Sequence, residues 1–279
     1  MSSIGFGPNI AYAVRTALAP WSVVSHSTEV HGMQTVDNSS EKNNLLHDFD
    51  RTAQLVKGFV AERYGEENAD ALYRDARQEY EAIIQQIPRI GGARARILNS
   101  FLRITAQEVA VYKAMKKRGK TPAEAWEICH EAIRLRMEAF PRWKAWLFRQ
   151  LIYSPPVKQR IRRRAQKMEQ HRLGDFEVRY VIGDGNDFDF GVDYVSCGNL
   201  ELVKKRGAEE FAPYVCMSDI PLSTGLGWGL IRTQTLADGC DHCDFRFKKG
   251  AVTQITSKTP EVQKTIDRIR GARRGRKNT

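Results

Sequence analysis

The fold is decided at Phe176-Glu-Val-Arg-Tyr-Val-Ile-Gly-Asp-Gly-Asn-Asp-Phe-Asp-Phe-Gly-Val-Asp-Tyr194, where the period of the apolar residues changes. Phe176, Val178, Tyr180 and Ile182 alternate with Glu177 and Arg179, and Phe188, Phe190, Val192 and Tyr194 alternate with Asp189, Gly191 and Asp193. A period of two places each apolar set on one face of a strand. Gly183-Asp-Gly-Asn-Asp187 supplies turn residues between the two runs, so the stretch predicts a β-hairpin. Its Gly-x-Gly lies in that turn and not ahead of a helix, so it is no dinucleotide fingerprint.

Downstream, residues 198–206 and 208–216 fit two short helices, and a loop then passes Pro221 and Gly225. Trp228 to Leu236 reads as a third strand, Ala237-Asp-Gly239 begins a turn, and Cys243 to Lys248 reads as a fourth strand. Upstream, the period is helical over 46–65, 67–86, 93–118 and 121–139, with breaks at Gly65, at Pro88 with Gly91-Gly92, and at Gly119. Thr121, Pro122 and Glu124 form a capping-box start for the fourth of these helices. Cys129 and His130 fall inside it as core residues. An aromatic-rich helix follows over Pro141 to Tyr153, and a basic one runs from Pro155-Pro156 to about His171.

Helices followed by strands make an α+β protein. The expected architecture is an N-terminal helical region and a roughly four-stranded antiparallel sheet, with two short helices between its hairpins. Residues 1–45 read as an irregular N-terminal segment, with a polar linker over 37–44. Residues 46–173 are the helical region, and 174–250 the sheet region, packed with the helices as one domain. Residues 251–279 read as a basic C-terminal tail.

Composition narrows the function classes. No run reaches the ~18–20 apolar residues that cross a bilayer. The five cysteines are odd in number and no secretory signal precedes them, so free thiols in a reducing, cytoplasmic compartment are expected. Of the net charge of +11, two segments carry more than the whole: 155–174 has seven Lys/Arg against one acid, and 258–279 eight against two. Those segments offer a nucleic acid a basic surface, although the Arg162-Arg163-Arg164 run has no interleaved aromatics for base stacking.

Chemistry concentrates between residues 197 and 244. Cys243, Phe245 and Phe247 share one strand face, while Asp244, Arg246 and Lys248 share the other. Three readings of the thiols stand side by side. Cys197, Cys216, Cys240 and Cys243 can supply four zinc ligands, although only one half has the tight C-x-x-C knuckle. All four can be core residues. Finally, Cys216 or Cys243 can serve as nucleophile or acid, with Asp219, Asp238 or Asp244 as base or as partner to a cationic substrate. No cofactor is expected under the last two readings.

Cys216-Met-Ser-Asp219, Gly229-Leu-Ile-Arg232-Thr-Gln-Thr-Leu-Ala-Asp-Gly239 and Cys243-Asp-Phe-Arg-Phe247 resemble the C-terminal signature of the L-2-amino-thiazoline-4-carboxylic acid hydrolase family. The likeness covers roughly 95–250 in layout and about 210–247 in motif. It implies a hydrolase of a small-molecule substrate: water adds to the ring carbon between sulfur and nitrogen, and the C–S bond opens to give N-carbamoyl-L-cysteine. Under this resemblance Asp219 and Asp244 hold the amidinium and activate water, and Cys216 or Cys243 is nucleophile or acid. Arg232 clamps the substrate carboxylate bidentately, with Thr235 and Asp238 of the following turn beside it. Cys240 and His242 lie outside the pattern, and His242 adds a candidate base.

Overall fold

In a computed structural model, residues 39–91 and 95–276 are described. The first helix, α1 (Ser39–Tyr64), is followed by α2 (Glu66–Ile84), α3 (Arg96–Lys116) and α4 (Pro122–Glu138). Most of the segment read as irregular, 1–38, lies outside the described residues; Ser39–Asn44 is helical. That polar stretch joins α1 because its charges find distant partners. Lys42 pairs with Glu81 at 2.7 Å, and Glu41 pairs with Arg89 and Arg103.

The helix starts follow local chemistry. At α4 the Thr121 hydroxyl accepts from the Glu124 amide (3.2 Å) and the Glu124 carboxylate accepts from the Thr121 amide (2.9 Å), completing the capping box. Such a cap is worth about 0.5–2 kcal/mol. On α2, Ala69, Leu72, Ala76, Tyr80, Ile83 and Ile84 form one buried stripe. By contrast, α3 is enclosed on nearly every side from Thr105 to Met115, which marks it as the central helix. Trp126 of α4 is fully buried against it and lies 6.4 Å from the Tyr214 ring.

Next come α5 (Arg142–Ile152), α6 (Pro155–Gln166), β1 (Gln170–Leu173), β2 (Phe176–Ile182) and β3 (Phe190–Ser196). They lead to α7 (Gly198–Lys205), α8 (Ala212–Met217), α9 (Asp219–Leu226), β4 (Leu230–Arg232), β5 (Cys243–Phe247), β6 (Gln254–Ile255) and α10 (Pro260–Arg276). The α+β class is therefore observed, but the sheet has six strands in the order β1-β2-β3-β5-β4-β6. It is mixed: β4 pairs parallel with β6, and the other pairings are antiparallel. The predicted third strand shrinks to three residues, because Leu236–Asp238 turns into a 3₁₀ helix. The loop expected through Pro221 is α9, whose first turn tolerates a proline.

The register of β3 and β5 builds one apolar floor. Cys243 lies opposite Tyr194, Phe245 opposite Val192 and Phe247 opposite Phe190, and β2 extends these rows with Val178, Tyr180 and Ile182. Ile152, Tyr153, Val157 and Ile161 of the α5–α6 region pack around Phe190 at one end of this floor. Gly229, at φ 66°, lets β4 approach β5; a Cβ there would lie 2.0 Å from the Lys248 carbonyl oxygen. The C-terminal segment read as a tail is held to the body, since Val262 and Ile266 of α10 are buried in the main core. The basic residues are partly used internally: Arg268 pairs with Glu127, and Arg164 lies over the Tyr180 ring at 5.2 Å. Arg162 and Arg163 are exposed.

Candidate active site

Between the apolar floor and helices α3, α5, α7, α8 and α9 lies a cavity of about 230 Å³. Three of the cysteines face it: Cys197 just ahead of α7, Cys216 on α8 and Cys243 on β5. Burial pushes the Cys197 and Cys243 thiols up to about 12 and raises Cys216 further, despite the Arg232 guanidinium. At neutral pH all three are protonated, so none is a ready thiolate nucleophile. Cys243 also accepts the Leu236 amide at 3.2 Å, which ties it to the neighbouring turn.

The ionic centre is Asp219 with Arg232. Asp219 opens α9, where a carboxylate suits the positive end of the helix. Arg232 ends β4 and is 1% exposed. Its Nη1 donates to Asp219 Oδ2, its Nη2 lies 3.8 Å from the Met217 sulfur, and its plane lies 5.4 Å from the Phe245 ring. The Nε–H of Arg232 is buried without a partner in the protein, although it belongs to a cavity-lining side chain. Burial raises the Asp219 carboxyl, and Arg232 opposes that rise.

Sequence reasoning missed a second carboxyl. Glu108, in the middle of α3, is 4% exposed and lies in the wall between this cavity and a smaller one of about 160 Å³ in the helical layer. It accepts a hydrogen bond from the Ser218 hydroxyl, which in turn accepts from Trp126 Nε1 at 3.4 Å. Burial, with the Asp219 charge adding to it, lifts the Glu108 carboxyl to about 8. Ser218 donates to one oxygen, so the proton of the neutral acid is left to the other. The available signal was Ile104-Thr-Ala-Gln-Glu108-Val-Ala-Val-Tyr112, an acid amid residues that a buried helix would carry.

The remaining candidates lie elsewhere. Asp244 is on the opposite face of the sheet, where it accepts the Thr233 and Gln234 amides (2.9 Å each) and the Thr233 hydroxyl (2.6 Å). His242 is on that face too, 3.1 Å from the Gln234 side-chain nitrogen and 3.8 Å from Asp193, which also binds Arg246 at 2.7 Å. Their separation from the cavity follows from strand alternation. Thr235 caps the 3₁₀ turn through Asp238. Burial would raise Asp238, but hydrogen bonds from Ser257, Thr259 and Thr235 hold it below the usual carboxylate range. Cys240 sits in the turn and does not line the cavity that holds the other three candidate zinc ligands. Among the described residues, no three His, Cys, Asp or Glu side chains are arranged to hold a metal ion. No described helix is long and apolar enough to cross a membrane.

A family model described as L-2-amino-thiazoline-4-carboxylic acid hydrolase matches residues 99–247, more than half of the chain. The matched segment carries Glu108, Cys197, Cys216, Ser218, Asp219, Arg232 and Cys243. Comparison with curated proteins and with solved structures returned no match. With the match covering more than half of its length and every charged and thiol group of the cavity, the chain belongs to the L-2-amino-thiazoline-4-carboxylic acid hydrolase family.

Proposed function

We propose that the protein is a hydrolase that opens a small cyclic amidine, of the aminothiazoline carboxylate type, inside the cavity on its sheet. The observation that carries this reading is the meeting of a carboxylate ion-paired to Arg232, Asp219, and a second carboxyl with no cationic partner, Glu108, in the wall of that cavity. Environments that push two carboxyls apart separate the roles of base and acid.

In this reading Arg232 keeps Asp219 anionic while burial raises its basicity, which suits a general base. The Asp219 oxygen not held by Arg232 receives a proton from the attacking water. Glu108, neutral below about pH 8, supplies a proton to the departing ring sulfur. The unpartnered Nε–H of Arg232 receives the substrate carboxylate. The protonated thiols line the wall and form no covalent intermediate. One water is consumed, one C–S bond breaks, and a free thiol is released.

The test is turnover of L-2-amino-thiazoline-4-carboxylate, read as thiol release in excess of protein thiols. Wild-type protein should turn over, and Asp219→Asn and Glu108→Gln should each lose about 10²–10⁴ in rate. Equal turnover by both variants and wild type would remove the assignment.

A further inference from the structure

The cavity is longer than a cyclic amidine carboxylate needs. Along a strand, side chains on one face are spaced by about 6.7 Å, so the row of Cys243 and Tyr194 lies about 13 Å from the row of Phe247 and Phe190. Of the charged side chains that line the cavity, Arg232 stands beside Phe245, one row in from Phe247, and Asp219 and Glu108 gather about it through the Arg232–Asp219 pair and Ser218. At the Phe247 end, Phe148 and Ile152 of α5 and the Trp228 ring close over Phe190 and Phe247. Trp228 lies 5.8 Å from Phe148 and 5.7 Å, edge-on, from Phe247. A five-membered ring bearing an amine and a carboxylate, set against Arg232, would leave the Phe190–Phe247 row for a further group.

One polar atom interrupts the aromatic end. The indole Nε1 of Trp228 is buried and has no hydrogen-bond partner in the protein. Its backbone carbonyl accepts from Tyr153 at 2.6 Å, so the residue is anchored while its side-chain donor is unused. Buried donors in native structures are nearly always paired, and an orphan in a cavity wall calls for an acceptor that a ligand can bring.

Resting on the reading above that the charged groups receive the ring, we propose that the substrate is an extended cyclic amidine carboxylate. From its ring runs an aromatic or alkyl arm that lies along the Phe245–Phe247 floor. The arm carries a hydrogen-bond acceptor, an ether or carbonyl oxygen, that meets the Trp228 N–H. The ring end orients the reaction, and the arm selects the substrate.

Three probes separate these elements by calorimetric titration of the full-length protein: bare L-2-amino-thiazoline-4-carboxylate, the same ring with a benzyl group on its exocyclic nitrogen, and the 4-methoxybenzyl analogue. The benzyl probe should bind at least tenfold more tightly than the bare ring, and the methoxy oxygen should add a further fivefold or more. Trp228→Phe, which keeps an aromatic ring and deletes the donor, should abolish the methoxy gain. Val192→Phe, filling the middle row, should abolish the benzyl gain, with a thermal melt confirming its fold. Arm-bearing probes that bind no more tightly than the bare ring, absence of all binding included, overturn the proposal. A methoxy preference retained in Trp228→Phe overturns the acceptor contact. Tight, arm-dependent binding without hydrolysis of any probe would remove the hydrolase reading and leave this one standing. Hydrolysis of the bare ring with no gain from the arm would do the reverse.

Discussion

Glu108→Gln isolates the buried acid, because it keeps the side-chain shape and an acceptor for Ser218 while removing the titrating proton. The ordinary glutamate value is 4.5 and the buried value about 8. A group raised on folding gives its full stabilisation below the unfolded value and loses it as pH rises towards the folded one. Each pH unit in that window is worth about 1.4 kcal/mol, so the wild-type fold loses roughly 3 kcal/mol between pH 4.5 and pH 7 from this one carboxyl. The Gln variant lacks that slope, and every other titrating group is common to both proteins. Urea unfolding at pH 5, 6, 7 and 8 should therefore show two curves that nearly coincide at pH 5 and diverge upward, with the variant the more stable by roughly 3 kcal/mol at pH 7. The same variant should be nearly inactive, so stability and turnover move in opposite directions. Parallel stability curves would refute the claim that burial holds this acid neutral, and the acid role would go with it.

Asp219→Ala leaves the Arg232 guanidinium buried and unpaired, and should cost about 3–5 kcal/mol in chemical unfolding besides abolishing turnover. In native protein treated with iodoacetamide at pH 8, peptide mass mapping should find Cys240 alkylated well before Cys197, Cys216 and Cys243, whose thiols burial keeps protonated; rapid labelling of Cys216 would contradict that. Asp244→Ala should lower stability by about 1 kcal/mol per lost amide bond, yet leave turnover within about twofold, as measured by thiol release.

Strand alternation was the most legible part of the chain. It put Cys243 with Phe245 and Phe247 and sent Asp244 to the other face, and both placements hold in the sheet. The resemblance to the family nevertheless suggested Asp244 as a catalytic group, and the geometry of the strand prevails over its residue type. Asp219 and Arg232 were singled out by the family motif, each for its own contact with substrate, and their pairing with each other appears only in the fold. Glu108 could not be placed in the same way. Its burial depends on helices and strands from distant parts of the sequence closing around α3, which no local period reports. β1 and β6, of four and two residues, are too short to show a period at all. Ser39–Asn44 looked like a linker because the ion pairs that make it helical reach residues some 40 to 60 positions away.

The strand that carries Arg232 is only three residues long, and its outer edge is secured by chain that comes later. Thr256 donates its amide to the Arg232 carbonyl at 3.0 Å, and Asp238 fastens Ser257 and Thr259 to the same corner. The stretch matched by the family model stops at Phe247, short of every one of these later residues. The portion recognisable as family is thus smaller than the portion that must fold for the guanidinium to be held in place. A chain trimmed to the recognisable portion would keep Glu108, Asp219, Arg232 and the cavity thiols and lose the alignment between them.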